Sequence, residues 1–331
     1  MKELIRQLVE AYGPSGHEGH VRTLIEQIVR PYVDEMRVDA LGNLIAHKKG
    51  KGGGRRVMLA AHMDEIGLVV TYVDERGFLR FAAAGGVSAL TLVGSRVSFA
   101  NGASGVVGWE KWLESQDRPV WEELFVDVGA TSRQDCPVRV GDAACFVRPM
   151  VDLGQRLVAK AMDDRLGCAV AIQVLRELDV TPNEVYAVFT TQEEVGTRGA
   201  LVSAYGVEPE VALAIDVTKT GDTPEAKPMA VSLGQGPAIK IMDSGFIAHA
   251  GVKEWMIATA ERLGIPYQRE VLTGGSTDAR AMQLVRGGVP AGCLSIPCRY
   301  VHTPSEMVDY GDVQNAVKLL VGLLREPIAL S

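Results

Sequence analysis

The chain has no run of about 18 consecutive apolar residues, which excludes an ordinary membrane-spanning helix. It also has no disulfide framework. Its five cysteines are odd in number, widely scattered and without metal-site spacing. Cys168 falls in a helical pattern and Cys145 in a strand pattern, so both read as buried thiols, while Cys293 and Cys298 flank an apolar run. Such thiols fit a reducing cytosol. The first residues, Met1-Lys2-Glu3-Leu4-Ile5-Arg6, are charged and amphipathic and lack the apolar core of a secretory signal. A basic excess is absent too. The net charge of -7 argues against nonspecific binding to nucleic acid. No internal repeat or low-complexity tract is visible. The expectation is a cytoplasmic protein that engages neither nucleic acid nor membrane.

What is present is an ordinary globular composition, 47% hydrophobic and 23% charged over 331 residues. That is enough for a large core and a second domain. Leu4, Ile5, Leu8 and Val9 give a helical stripe that Gly13-Pro14 ends, and 18–32 reads as a second helix. Residues 37–40 and 43–46 suggest a hairpin. The run 56–61 is a buried strand closed by His62-Met63-Asp64-Glu65. From about Val69 to Leu153 helical periodicity disappears, and short β-like runs alternate with glycine and turn signals. This texture predicts a small β-domain inserted into an α/β domain, with 1–68 and 154–331 forming the catalytic part and 69–153 the insert. Trp109, Trp112 and Trp121 fall near the middle of the insert, as core or as interface. The α/β texture then returns, with strands at 185–189, 211–215 and 291–296 and helices at 166–178, 200–205, 253–263, 279–284 and 312–324.

The buried runs end on polar residues. The second run leads into Thr190-Thr191-Gln192-Glu193-Glu194, the third ends on Asp216, and the last is followed by Tyr300-Val301-His302. Ligand sites of open α/β sheets lie at the carboxyl ends of strands. Singly, each residue has a plain explanation: an Asp capping a helix, a structural His, a solvated acidic pair. Collectively, His62, Asp64, Asp163, Glu193, Glu194, Asp216 and His302 form an imidazole–carboxylate set. Such donors suit Zn²⁺, Co²⁺ or Mn²⁺. Five ligands suffice for two metals if one carboxylate bridges. A pair of cations roughly 3.5–4 Å apart can lower the pKa of bound water from about 15.7 to near 7, and a neighbouring carboxylate can take the proton.

Six ordered motifs carry a resemblance: Ala61-His62-Met63-Asp64-Glu65-Ile66-Gly67, Lys160-Ala161-Met162-Asp163-Asp164-Arg165, Gln192-Glu193-Glu194-Val195-Gly196, Ala214-Ile215-Asp216-Val217, Gly275-Ser276-Thr277-Asp278-Ala279 and Tyr300-Val301-His302-Thr303-Pro304. The chain resembles, over its whole length, the cytosolic dinuclear-metal aminopeptidases that assemble into tetrahedral dodecamers. Members are named glutamyl or deblocking aminopeptidases or, misleadingly, endoglucanases. The resemblance implies a zinc-peptidase-like mixed sheet sandwiched by helices, an α/β fold, with an inserted small β-barrel-like dimerisation domain. It implies that His62, Asp163 and Asp216 hold one metal and Asp163, Glu194 and His302 the other. Glu193 is then the general base, and Asp64 contacts His62 from behind the ligands. The two ions would be Zn²⁺ or Co²⁺, with Mn²⁺ also compatible. The Asp163–Asp164 peptide is expected to be cis.

The implied activity is removal of N-terminal residues from peptides through a hydroxide held by two metals. Dimers would build a dodecamer whose hollow interior admits unfolded chains. A related dinuclear deacylase or carboxypeptidase is the alternative, and should need an anchor for a substrate carboxylate. A glycoside hydrolase would use two carboxylates but leave both histidines idle. Arg280 and Arg299 adjoin motif residues, and each is open to a substrate-facing or a structural role.

Overall fold

The computed structural model describes residues 1–111 and 118–330. Its first part holds helices α1 (Lys2–Glu10) and α2 (Gly19–Val29) and strands β1 (Glu35–Val38), β2 (Leu44–Lys48) and β3 (Arg56–His62). Next come β4 (Gly67–Val73), β5 (Leu79–Ala84), β6 (Arg96–Phe99), β7 (Ser104–Trp109), β8 (Leu124–Asp127) and β9 (Ala143–Phe146). The chain continues through β10 (Val151–Asp152), β11 (Arg156–Ala159), α3 (Met162–Glu177), β12 (Glu184–Thr190), α4 (Arg198–Val207) and β13 (Val211–Thr218). It ends with β14 (Ala238–Met242), α5 (Ala250–Leu263), β15 (Gln268–Val271), α6 (Asp278–Met282), β16 (Ala291–Arg299), β17 (Glu306–Asp309) and α7 (Tyr310–Leu324).

Among the described residues the main sheet runs β1-β2-β12-β3-β13-β16-β17-β11-β10, with β14 on β16 and β15 beside β14. The middle strands β12, β3, β13 and β16 are parallel, the other pairings along the path are antiparallel, and β15 runs parallel to β14. Period-two alternation divides the side chains between two helical layers. Val57, Leu59 and Ala61 of β3 face a core shared with α1, α2, α3, α5 and α7. Met58 and Ala60 face the smaller core under α4 and α6. Both faces are covered, which is why these strands read as continuous apolar runs. All eight residues of β13 are buried.

Strands β4-β5-β8-β7-β6-β9 close into a barrel with its own core, including Leu68, Leu79, Val97, Phe99, Val107, Leu124 and Phe146. Trp109 belongs to that core, and its Nε1 donates to Glu123 at 2.8 Å. Trp121 packs edge-on against Phe81, with ring centroids 6.1 Å apart. Trp112 lies outside the described residues. The barrel strands thus run from Gly67 to Phe146, and Val151–Asp152 already pairs within the main sheet.

Sequence patterning missed five short strands, β10, β11, β14, β15 and β17. Strand β10 is two exposed residues, too short to show alternation. In β14, Lys240 interrupts the apolar pattern although it is fully buried. Glu270 of β15 neutralises it through a close ion pair.

Candidate metal centre

Strands β3 and β12 are paired in parallel with His62 opposite Thr190, so their ends lie side by side. Beyond them, Glu193 and Glu194 turn over the sheet edge, with Gln192 in the left-handed region at φ 56°. Asp216 sits near the end of β13, opposite Ser295 of β16. Asp163 stands at the start of α3, and the Asp163–Asp164 peptide is cis. His302 comes from the turn after β16, with φ 65°.

Asp163 is the meeting point. Its Oδ1 is 3.0 Å from His62 Nε2, and its Oδ2 is 3.3 Å from His302 Nε2. Glu194 Oε2 is also 3.3 Å from His302 Nε2, and Glu193 Oε2 is 3.9 Å from His62 Nε2. Among the described residues, two groups have ligand atoms within 4.8 Å of one another: His62, Asp163 and Glu194, and His62, Asp164 and Asp216. The first contains His62 where the resemblance implies His302, and the second contains Asp164 where it implies Asp163. The Asp164 carboxylate, however, accepts backbone N–H groups of His62 at 3.2 Å and Gly167 at 3.0 Å. It already has work in starting α3, whereas Asp163 offers one oxygen to each histidine.

Asp64 is completely buried beneath these groups. Its carboxylate accepts the Ser15 hydroxyl at 2.6 Å and the backbone N–H groups of Glu193 at 2.9 Å and Glu194 at 3.2 Å. His62 Nδ1 lies 3.1 Å from the Asp64 carbonyl oxygen and 3.5 Å from its carboxylate, so the contact runs mainly through the backbone. The motif residues Lys160 and Arg165 form a buried structural cluster with Glu65. Arg165 also donates to the carbonyls of Leu8 and Gly13, tying α1 beneath the site.

The cavity above these groups has a volume of about 290 Å³. Asp163, Glu193, Glu194, Asp216 and His302 line it, as do Gly86, Lys219 and Arg280. Arg299 does not. It grips Asp222 with two hydrogen bonds of 2.9 and 2.8 Å. Sequence reasoning gave no role to Asp278 or Glu306, both buried here. Asp278 accepts the Thr190 hydroxyl at 2.5 Å, and burial pushes its pKa up to about 6. Glu306 accepts the backbone N–H groups of Asp163 and His302. The Asp in Gly275-Ser276-Thr277-Asp278-Ala279 was a visible signal, whereas nothing around Glu306 marked it.

The electrostatics test whether divalent metals fit. Burial pushes Glu193, Glu194 and Asp216 well above the ordinary carboxylate range. The charge of Asp163 adds to this for Glu194 and Asp216. Burial opposes charging of His62, but hydrogen bonds to Asp163 and Asp64 raise it well above its usual value. Glu194 Oε1 is buried without a hydrogen-bond partner. So many buried carboxylates, with an orphaned oxygen and an imidazole against each oxygen of Asp163, lack positive charge rather than hydrogen bonds. Divalent cations supply what is missing, and the oxygen and nitrogen donors fit them.

Comparison with known proteins agrees with this chemistry. Residues 42–319 match the model of the family described as M42 glutamyl aminopeptidase. A putative aminopeptidase of Acetivibrio thermocellus is 48% identical over 323 residues, 97% of each chain. The structure of aminopeptidase APDkam598 from the archaeon Desulfurococcus kamchatkensis superposes with a TM-score of 0.94 at 43% identity, covering 98% of this chain and 94% of that one. The Pyrococcus horikoshii TET1 peptidase, described as assembling into a tetrahedron or a large octahedral shell, gives 0.89 at 32% identity, covering 98% and 99%. With the match spanning most of its length, the chain belongs to the M42 glutamyl aminopeptidase family and is a metal-dependent aminopeptidase.

Proposed function

We propose that the protein releases N-terminal residues from peptides at a dinuclear metal centre. His62, Asp163 and Asp216 would hold one ion, and Asp163, Glu194 and His302 the other, with Zn²⁺ or Co²⁺ favoured and Mn²⁺ compatible. The observation that carries this reading is the orientation of Asp163, with one oxygen turned to each histidine. Bound there, the ions supply Lewis acidity toward the scissile carbonyl and lower the pKa of water toward about 7.

The chain's own groups do the rest. The Glu193 side chain lines the cavity and forms no hydrogen bond with any described residue, which leaves its oxygens available for proton transfer. It takes a proton from the attacking water and returns one to the leaving amine. Asp64 holds the His62 ring through Nδ1 and fixes the backbone of Glu193 and Glu194 from below.

The barrel unit, placed by the sequence at 69–153 and with strands spanning Gly67 to Phe146, mediates dimerisation, and the flanking segments form the catalytic unit. Dimers then build a hollow dodecamer with peptides as substrates. Supporting this are the shell described for the Pyrococcus horikoshii relative and the exposed apolar side chains of Tyr72, Leu90, Val106 and Val140. Five unpaired thiols suit a cytoplasmic location.

The test is hydrolysis of aminoacyl anilides and their N-acetylated counterparts by chelated and metal-reloaded protein. Metal-dependent cleavage of the free-amine set alone is expected. Cleavage of the acetylated set would replace this reading with a deacylase.

A further inference from the structure

His302 is gripped from two sides by residues that the chemistry above does not use. From below comes Glu306 of β17, which is buried. One of its carboxylate oxygens accepts the His302 backbone N–H at 2.8 Å, and the other accepts the Asp163 backbone N–H at 3.0 Å. A single side chain therefore sets the spacing between two elements 139 residues apart, since 302 less 163 is 139. From above comes the loop that leaves β5 of the barrel. A Cβ placed on Gly86 would lie 2.3 Å from His302 Nδ1 and 2.7 Å from Cε1. Its neighbour Gly85 approaches Glu194 in the same way, with 3.1 Å to Cβ and 3.1 Å to Oε2.

The two histidines are thus held by different devices. The His62 ring is oriented by an acceptor on Nδ1, the Asp64 carbonyl at 3.1 Å. Metal-ligating histidines are usually fixed in this way. No described residue hydrogen-bonds His302 Nδ1, and the Gly86 backbone occupies that side instead. Gly86 is not in the left-handed region, so space and not backbone conformation demands a glycine there. The His302 side chain is 35% exposed, so a displaced ring has somewhere to go. A side chain at position 86 would turn the ring out of place without breaking the core.

We propose that Glu306 and Gly86 form a clamp that positions His302 for the Asp163–Glu194–His302 metal group, the barrel loop supplying one jaw and the main sheet the other. The inference rests on the reading that this group holds a metal. Neither residue takes part in proton transfer; Gly86 acts through His302, and Glu306 through His302 and the Asp163 backbone. Replacing Glu306 by Gln leaves one of the two N–H groups, that of Asp163 or that of His302, facing an amide NH₂ without an acceptor. Replacing Gly86 by Ala puts a methyl group where the ring stands.

The experiment is equilibrium dialysis of the full-length protein with Co²⁺, reading the number of ions bound per chain and the affinity of each. His302→Ala, Gly86→Ala and Glu306→Gln are compared with Gly102→Ala, a barrel glycine at φ 86° where alanine strains the backbone but meets no neighbouring atom, as a control for general destabilisation. The clamp predicts that Gly86→Ala weakens one ion roughly 10- to 100-fold and spares the other, that Glu306→Gln weakens the same ion at least as much, and that kcat recovers at high Co²⁺. Gly102→Ala should leave both affinities unchanged. A loss in His302→Ala beside wild-type affinities in a folded Gly86→Ala or Glu306→Gln overturns the clamp alone. Unchanged binding in His302→Ala overturns the underlying ligand reading. If Glu306→Gln fails to fold, Gly86→Ala decides by itself, because both jaws must act on the same ring.

Discussion

Asp64 accepts the backbone N–H of Glu193 at 2.9 Å, although 129 residues separate the two in the chain. The end of β3 thereby fixes the turn beyond β12. Ser15 and Glu194 donate to the same carboxylate, so Asp64 joins three segments beneath the cavity. Asp64→Asn removes one acceptor and adds a donor among groups that all donate. Loss of kcat by about 10- to 100-fold is expected, with a smaller change in KM. Thermal melting should fall as well, since an unsatisfied buried group costs on the order of 1–3 kcal/mol. Wild-type kcat in this variant would show that the turn holds its position without Asp64.

The Glu193 side chain has no hydrogen bond to any described residue, and its nearest charged partner, His62 Nε2, is 3.9 Å away. Glu193→Gln keeps the shape and removes the base. We expect kcat to fall at least roughly 10²-fold while the metal content of the purified protein stays unchanged. Metal analysis beside steady-state kinetics separates a lost base from a lost ligand. Near-normal turnover would exclude Glu193 from proton transfer.

The sequence shows a site best where chemistry follows an apolar run. His62, Glu193, Asp216 and His302 each follow or end one, because the parallel strands are buried on both faces and only their ends can carry polar groups. Glu306 follows no such run. It works through hydrogen bonds to backbone N–H groups, and backbone partners leave no trace in the identities of neighbouring residues. Lys240 misled in the opposite sense, because its partner Glu270 lies on another strand and a buried ion pair reads as two surface charges. Nor could motif proximity separate Arg280 from Arg299. Each lies close to a motif residue, and only the path of the chain shows which one reaches the cavity.

Removing the metals should affect stability as well as turnover. In the proposed centre the buried carboxylates around Asp163 would be relieved by cations in the native state and would need none when unfolded. A ligand that binds only the native state stabilises it by about 2.7 kcal/mol at 100 times its Kd. Chelation is expected to abolish activity and lower Tm by several degrees, and re-addition of Zn²⁺ or Co²⁺ should restore both. His302→Ala should show a reduced shift of Tm on metal addition, and calorimetry with and without chelator measures this. A Tm indifferent to metal would mean that the carboxylates settle their charge by another route.

Arg280 and Arg299 should separate cleanly by experiment. The stem of Arg280 lies against Gly245, where a Cβ would come within 2.5 Å of its Cδ, and its guanidinium makes no ion pair with a described residue. With the cavity carboxylates neutralised by metal, Arg280 and Lys219 leave it with positive charge. Arg280→Ala should raise KM for glutamyl or aspartyl anilides about 10-fold relative to leucyl anilide, roughly 1.4 kcal/mol, and leave Tm unchanged. Arg299 acts elsewhere. Its guanidinium holds Asp222 well below the ordinary carboxylate range, against a smaller opposing effect of burial. A depressed carboxylate stabilises the fold above its unfolded pKa of about 3.9, and that contribution is lost as pH falls toward the folded value. Asp222→Asn should therefore lower Tm near neutral pH by a degree or two, because the pair is partly solvent-exposed. The difference from the parent should shrink as pH drops below about 4. Kinetics for one arginine and melting curves against pH for the other give opposite patterns if these placements hold, and an Arg280→Ala effect on Tm alone would return that residue to a structural role.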